Sequence, residues 1–190
     1  MAGAGVGERT VRIRRAVPSD VPAINGIYNE AVRTTTATFD LHPRALAQAR
    51  RWFHQHGPHR PVLVAASAGS IVGWASLSDW SDRPAYAATA EVSVYVASEW
   101  RGRGIGRRLL GALLRRGDAV GLHSLLARVA EGNPASLRLH RSAGFRSVGV
   151  MREVGVKFGR RLDVHLLQRL SRADDRPRRP APRGSRRRRD

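Results

Sequence analysis

Apolar and polar positions follow a readable order from residue 11 to residue 167. Residues 11–15 (VRIRR) alternate like a short strand. Pro18, Ser19 and Asp20 supply turn and cap chemistry, and Val21, Ile24, Ile27, Tyr28 and Ala31 follow at helical spacing. Residues 43–56 predict a second helix, opened by Pro43. Residues 61–66 (PVLVAA) form a buried-strand run, and a Gly69-Ser70 turn leads into 71–77, which makes a hairpin. Residues 91–96 (EVSVYV), alternating and β-branched, are the clearest strand. Residues 106–116 carry Leu109, Leu110, Leu113 and Leu114 on one face of a helix that ends near Gly117. Residues 122–129 predict another strand. Asn133 and Pro134 open a helix as N-cap and first residue, and it runs to Gly144. Residues 145–153 and 162–167 complete the pattern as strands. The order β-α-α-β-β-β-α-β-α-β-β mixes hairpins with crossover helices, so the expectation is an α/β or α+β domain with a mixed sheet.

Composition narrows the chemistry. The chain has 190 residues, 42% hydrophobic and 26% charged, which suits one domain with a buried core. It has no cysteine, so disulfides, Cys-ligated zinc, iron–sulfur clusters and thiol catalysis are excluded, and a reducing cytoplasm is the expected location. No apolar run approaches the ~18 residues of a membrane span, and the first fifteen residues lack a secretory pattern. Among the seven histidines, the His54/His56 pair is the nearest approach to ligand spacing. No metal is expected.

Charge changes the picture next. Lysine and arginine number 34 against 15 acidic residues, a formal +19. That balance points first to an anionic partner. Nearly every base is arginine, with Lys157 the sole lysine, as in a compositional bias along the whole chain. Residues 172–190 hold nine Arg and three Asp, a Pro/Arg-rich stretch expected to be a disordered tail. Residues 1–10 are expected to be a flexible leader, and 11–171 the folded domain. No RNP-like aromatic motif or helix-turn-helix signature accompanies the charge, which weighs against nucleic acid.

Between a strand and a helix stands Arg101-Gly102-Arg103-Gly104-Ile105-Gly106. Glycines allow close backbone approach, and a helix N-terminus favours phosphate. A dinucleotide G-x-G-x-x-G fails, because the third position falls on Arg107. A P-loop fails for want of Gly-Lys-Ser/Thr. The pattern R-x-x-G-x-G of a coenzyme A pyrophosphate turn fits. A plain glycine-rich loop with solvated arginines fits the hexamer equally well.

Downstream, Asn133-Pro134-Ala135-Ser136 and His140 through Gly144-Phe145 add a second signature. With the element order, these residues resemble the GNAT acyl-CoA transferase superfamily over roughly 11–170. Three further stretches, 27–39, 79–96 and 154–164, resemble its phosphinothricin / methionine sulfoximine N-acetyltransferase branch. Asn29, Thr36, Phe39, Trp80, Arg83, Tyr86, Thr89, Glu91, Tyr95, Lys157, Gly159 and Asp163 carry that likeness. Ser81 departs from it, standing where herbicide-inactivating members have lysine.

The resemblance implies a mixed, mostly antiparallel sheet flanked by helices and splayed between the fourth and fifth strands. It implies acetyl-CoA as co-substrate, held by Val94, Tyr95 and Val96, by Arg101, Gly102, Arg103, Gly104, Ile105, Gly106 and Arg107, and by Asn133. It makes Glu91 the base that takes the amine proton and His140 the acid for the thiolate. Arg83 and Lys157 become clamps for acidic groups, Tyr86 and Phe39 pocket walls, and Thr34, Thr35 and Thr36 hydroxyl donors. It further implies a small amino acid-like amine as acceptor and a homodimer. Two other readings remain open: a GNAT enzyme acetylating a protein N-terminus or polyamine, and a nucleic-acid-binding protein using the arginine tail.

Overall fold

The computed structural model describes residues 10–171. The expected tail over 172–190, and the expected leader apart from Thr10, lie outside the described residues. Seven strands form one sheet: β1 (Arg12–Arg15), β2 (Val62–Ser67), β3 (Ser70–Asp79), β4 (Thr89–Val96), β5 (Ser124–Ala130), β6 (Arg146–Lys157) and β7 (Arg160–Leu170). Four α-helices accompany them: α1 (Val21–Thr34), α2 (Leu46–His54), α3 (Ile105–Ala119) and α4 (Pro134–Ser142). The sheet runs β1-β2-β3-β4-β5-β7-β6. Every neighbouring pair is antiparallel except β4–β5, which is parallel. Among the described residues no helix is long and apolar enough to cross a membrane.

The two faces of the sheet have different coverings, set by the period-2 alternation of strands. On β4, Ala90 and Val92 pack with Leu109, Leu110 and Leu113 of α3 in the larger core. Tyr95 turns to the opposite face, against Trp74 of β3 and Ile24 and Ile27 of α1. The leucines of α3 therefore bury their predicted stripe, and odd-numbered β4 residues are left for the other side.

The β4–β5 pair decides where a site can form. Its ladder covers only Thr89–Glu91 against Ser124–Leu126. On the other side β4 stays paired with β3 through Gly73↔Val96. Beyond Glu91 the two parallel strands therefore part, and the sheet opens into a fork.

Most elements differ from the expected bounds by one to three residues, and two differ more instructively. The second helix occupies Leu46–His54 rather than 43–56. Residues before it are held extended: Arg44 N–H donates to Asn29 Oδ1 at 2.8 Å. The Arg44 carbonyl accepts from the side chains of Asn25 and Asn29, both at 2.9 Å. The strand expected over 145–153 continues to Lys157 through two register shifts. Three short 3-10 turns complete the described elements: Pro18–Asp20, where turn chemistry was expected, and Pro84–Tyr86 and Ser98–Trp100, which were not singled out.

Candidate active site

Two cavities meet at the fork. One, of about 570 Å³, lies on the α1 and α2 side and includes Thr36, Phe39, Glu91, Arg128 and His140 in its walls. The other, of about 690 Å³, runs along the Arg101–Gly106 turn. Thr36, Ala37, Val94, Tyr95, Asn133 and Ser136 border both. A molecule lying in one cavity can therefore present a group to a molecule in the other.

The second cavity is built from backbone. Gly104 is the N-cap of α3, with φ +76, and no side chain caps this end. The left-handed conformation is cheap only for glycine. The amides at the start of α3 precede the first intrahelical acceptor and stay available, with the partial positive charge of the helix end. At Gly106 a β-carbon would stand 3.3 Å from Leu139 Cδ2, so glycine lets α3 approach α4. Gly102, Gly104, Ile105, Gly106, Arg101, Asn133, Val94, Tyr95 and Val96 all border the cavity. Exposed Arg103 and Arg107 do not. Arg103 lies over the Trp100 ring at 5.1 Å. Arg101 is engaged internally, its Nε donating to Val96 O at 3.1 Å and its Nη2 to Glu30 at 3.4 Å.

The cap reading of Asn133 holds in atomic detail. Its Oδ1 accepts from Ser136 N at 3.1 Å, with Pro134 in the first turn of α4. Such a cap contributes about 1 kcal/mol. The same residue borders both cavities, so capping and ligand contact do not compete.

The first cavity is built from side chains of distant segments. Glu91 occupies the last rung of the β4–β5 ladder, opposite Leu126. Its carboxylate accepts from Arg128 Nε at 2.7 Å and Nη2 at 2.5 Å. Arg128, on β5 across the fork, also lies over the Trp80 ring at 5.7 Å. The bidentate pair orients the carboxylate, and it holds the Arg128 guanidinium above its ordinary range. Sequence reasoning missed Arg128. Its one signal is a lone charge inside the apolar strand SLLARVA.

Further back stands an aromatic wall. Trp74 stacks on Tyr95 at 4.8 Å, and Tyr28 meets Tyr95 edge-on at 5.4 Å. Tyr28 gives its hydroxyl proton to Asp40 Oδ2 at 2.6 Å. Burial and that carboxylate push the phenol up to about 12. Tyr95 is raised further by burial, and it donates to Ala37 O at 3.3 Å. Both rings therefore stay neutral and serve as walls and hydrogen-bonding groups.

His140 is buried in the cavity wall, edge-on to Phe145 at 5.2 Å. Its Nδ1 lies 2.9 Å from Ser136 O. A carbonyl only accepts, so Nδ1 carries the proton and neutral Nε2 presents a lone pair. Burial lowers the imidazole pKa. The resting ring is therefore neutral, with Nδ1 engaged and Nε2 unpartnered.

Other expected residues lie elsewhere or are already engaged. Thr34, Thr35 and Thr36 donate their hydroxyl protons to the carbonyls of Glu30, Ala31 and Glu131, each at 2.8 Å. They shape the loop after α1 and bring no free hydroxyl proton to the cavity. Phe39 does form a wall. A β-carbon at Gly155 would fall 2.3 Å from Phe39 Cε2, so glycine there makes room for the ring. Lys157 is buried and donates to Thr38 O at 2.6 Å. It pins the Phe39 loop to β6 and borders neither cavity. Arg83 and Tyr86 are exposed around the Pro84–Tyr86 turn, also outside both linings.

The profile described as "Acetyltransferase (GNAT) family" matches residues 24–145. The chain belongs to the GNAT acetyltransferase family. An L-methionine sulfoximine/L-methionine sulfone acetyltransferase of Pseudomonas paraeruginosa is 44% identical over 158 residues, covering 82% of this chain and 92% of that protein. A phosphinothricin N-acetyltransferase of Streptomyces coelicolor is 41% identical over 167 residues, covering 86% and 98%. A solved phosphinothricin acetyltransferase from Sinorhizobium meliloti, in complex with AcCoA, superposes with TM-score 0.81 at 37% identity, covering 85% of this chain and 88% of that chain. The fork and the backbone-lined cavity of this GNAT chain fit a phosphopantetheine thioester. The start of α3, which no side chain caps, offers amides to a pyrophosphate, and the edge of β4 released from β5 beyond Glu91 can meet the pantetheine arm.

Proposed function

We propose that this GNAT enzyme transfers an acetyl group from acetyl-CoA to the α-amine of a small amino acid analogue of the phosphinothricin, methionine sulfoximine or methionine sulfone type. The observation that carries the reading is the placing of Glu91: at the branch point of the fork, in the wall of the side-chain cavity, beside the shared border of the two cavities. The relatives named above supply the acceptor class. When bound, acetyl-CoA supplies the thioester carbonyl that an amine attacks.

The residues of this chain divide the remaining work. Glu91 takes a proton from the incoming amine, oriented by Arg128. Val94 and Val96, whose backbone groups face away from β3, offer them to the thioester side of the fork, and Tyr95, whose backbone groups point to β3, lends its ring. His140 Nε2 accepts the second proton the amine must lose and delivers it to the leaving sulfur. Phe39 and Tyr95 wall out water. Arg83 and Tyr86 would reach the acceptor only if the loop carrying them closes over the cavity. The homodimer belongs to this proposal too. The edge strand β6 leaves Val148, Val154 and Val156 more than half exposed, a suitable face for a second copy, and sedimentation as a monomer at micromolar concentration would remove it.

The test of function is an acetyl-CoA consumption screen over free amino acids, phosphinothricin, methionine sulfoximine and methionine sulfone. Turnover is expected on at least one of the three analogues. Turnover on none of these compounds overturns the reading, and activity confined to peptides with a free N-terminus would replace it.

A further inference from the structure

The side-chain cavity holds hydrogen-bond donors that its own residues do not satisfy. Among the described residues, the buried side-chain polar atoms without a partner are Arg44 Nη2, Ser67 Oγ, Trp74 Nε1, Ser76 Oγ and His140 Nε2. All but Ser67 belong to residues lining this one cavity. Buried polar groups in folded proteins almost always find partners, so their convergence on one cavity points to a ligand. Arg44, Trp74 and Ser76 each carry a proton that no atom among the described residues accepts.

These three residues form a connected group. Trp74 and Ser76 stand two apart on β3 and share a face. Trp74 packs against Tyr28 at 6.3 Å and Trp52 at 5.4 Å. The Arg44 guanidinium lies over the same two rings, at 4.6 Å from Tyr28 and 4.9 Å from Trp52. Its Nε donates to Asn25 Oδ1 at 3.1 Å, and Asn29 holds its backbone. The guanidinium is therefore fixed before any ligand arrives. Among the described residues no carboxylate stands within ion-pairing distance of it. Asp40 takes the Tyr28 hydroxyl, and Glu91 takes Arg128.

We propose that Arg44, Trp74 and Ser76 form a cradle for a charged or strongly polar oxygen group of the acceptor. That group is either the α-carboxylate or the oxygen-bearing head of the side chain. This inference rests on the proposed function and deepens it, because neither Arg83 nor Lys157 borders the cavity. A planar guanidinium held between two rings suits a carboxylate or tetrahedral oxide better than a point charge does. An acceptor lacking the oxygen group leaves the donors buried and unpaired, and a site built this way discriminates strongly. A cationic amine acceptor is disfavoured on the same ground.

The test compares the wild-type chain with Arg44→Gln and Ser76→Ala on four acceptors: phosphinothricin, methionine sulfone, methionine, and the carboxamide of methionine sulfone. Arg44→Gln should lower kcat/KM by about 10- to 100-fold for acceptors bearing the recognised group, chiefly through KM. Ser76→Ala should act in the same direction, more weakly. A penalty that vanishes on the carboxamide assigns the cradle to the α-carboxylate. A penalty that vanishes on methionine assigns it to the side-chain head. An equal penalty on all four overturns the cradle, and an unchanged KM for acetyl-CoA shows that the variant is folded. Should the wild-type enzyme turn over none of them, the proposed function fails, and tryptophan fluorescence still reads the cradle through Trp52 and Trp74. Saturable quenching by phosphinothricin that is lost in Arg44→Gln then supports it. No quenching, or quenching unchanged by the substitution, overturns it.

Discussion

The two cavities on either side of the fork are made by different means. The one along α3 is a backbone site: glycines at 102, 104 and 106, a left-handed N-cap, an uncapped helix end and a strand released from its neighbour. The one beside α1 and α2 is a side-chain site, in which Tyr28, Arg44, Trp74, Glu91 and Arg128 arrive from separate segments. A backbone site recognises what every molecule of the cofactor shares, phosphate and amide. A side-chain site can change its acceptor by substitution without disturbing the other half. This division is suited to a family in which one thioester serves many amines.

Glu91→Gln should break the comparison most sharply, by abolishing work on one side only. Loss of a general base costs about 10²- to 10⁴-fold, so with Glu91 as the proposed base kcat should fall by at least two orders while acetyl-CoA affinity, measured by titration, stays at the wild-type value. Turnover close to normal would remove Glu91 from the mechanism.

Gly104→Ala should act on the opposite side, and less. Placing a β-carbon at φ +76 costs roughly 1 kcal/mol of folding stability, and a turn that shifts to relieve it moves its amides and raises the KM for acetyl-CoA by up to about fivefold. The KM for the acceptor should not move. Equal changes in both constants would mean that the two sites are not separable.

The smallest effect concerns protons. Burial lowers the pKa of His140, in the side-chain cavity, and of His56, whose ring lies 3.1 Å from Ser78 Oγ. Each binds a proton more readily in the unfolded chain. Stability is therefore full above the ordinary imidazole range and declines as pH falls through it. The melting temperature should drop by a few degrees between about pH 7 and pH 5. Asp20, lowered mainly by its hydrogen bond from Arg14, adds its own loss only below the ordinary carboxylate range. A melting temperature flat between the two pH values would contradict the neutral, buried state assigned to His140.

How much of this was legible beforehand follows the same divide. The Arg101–Gly106 turn, the Asn133 cap, the α3 leucine stripe and strand β4 are local patterns within a few residues of one another. Backbone conformation and period are written at that range, so they could be read directly. Arg44 looked like part of a helix opened by Pro43. Only the side chains of Asn25 and Asn29, on α1, hold it extended over Tyr28 and Trp52. Lys157 looked like an anion clamp, and its burial against Thr38 O reassigns it to holding the Phe39 loop. Arg128 gave almost no signal, because its meaning lies in the partner it meets across the fork.

By itself, then, the amino-acid sequence determined the order of elements, the mixed sheet, the glycine turn and the family. Each of these rests on short-range periodicity, glycine stereochemistry or a motif. The tertiary structure alone decided where the sheet forks, which carboxylate pairs with which arginine, which hydroxyls are already engaged and which buried donors remain unpartnered. Those outcomes depend on contacts between residues as far apart as Lys157 and Thr38, or Thr36 and Glu131. Such contacts are settled by packing and hydrogen-bond competition, which no local pattern records.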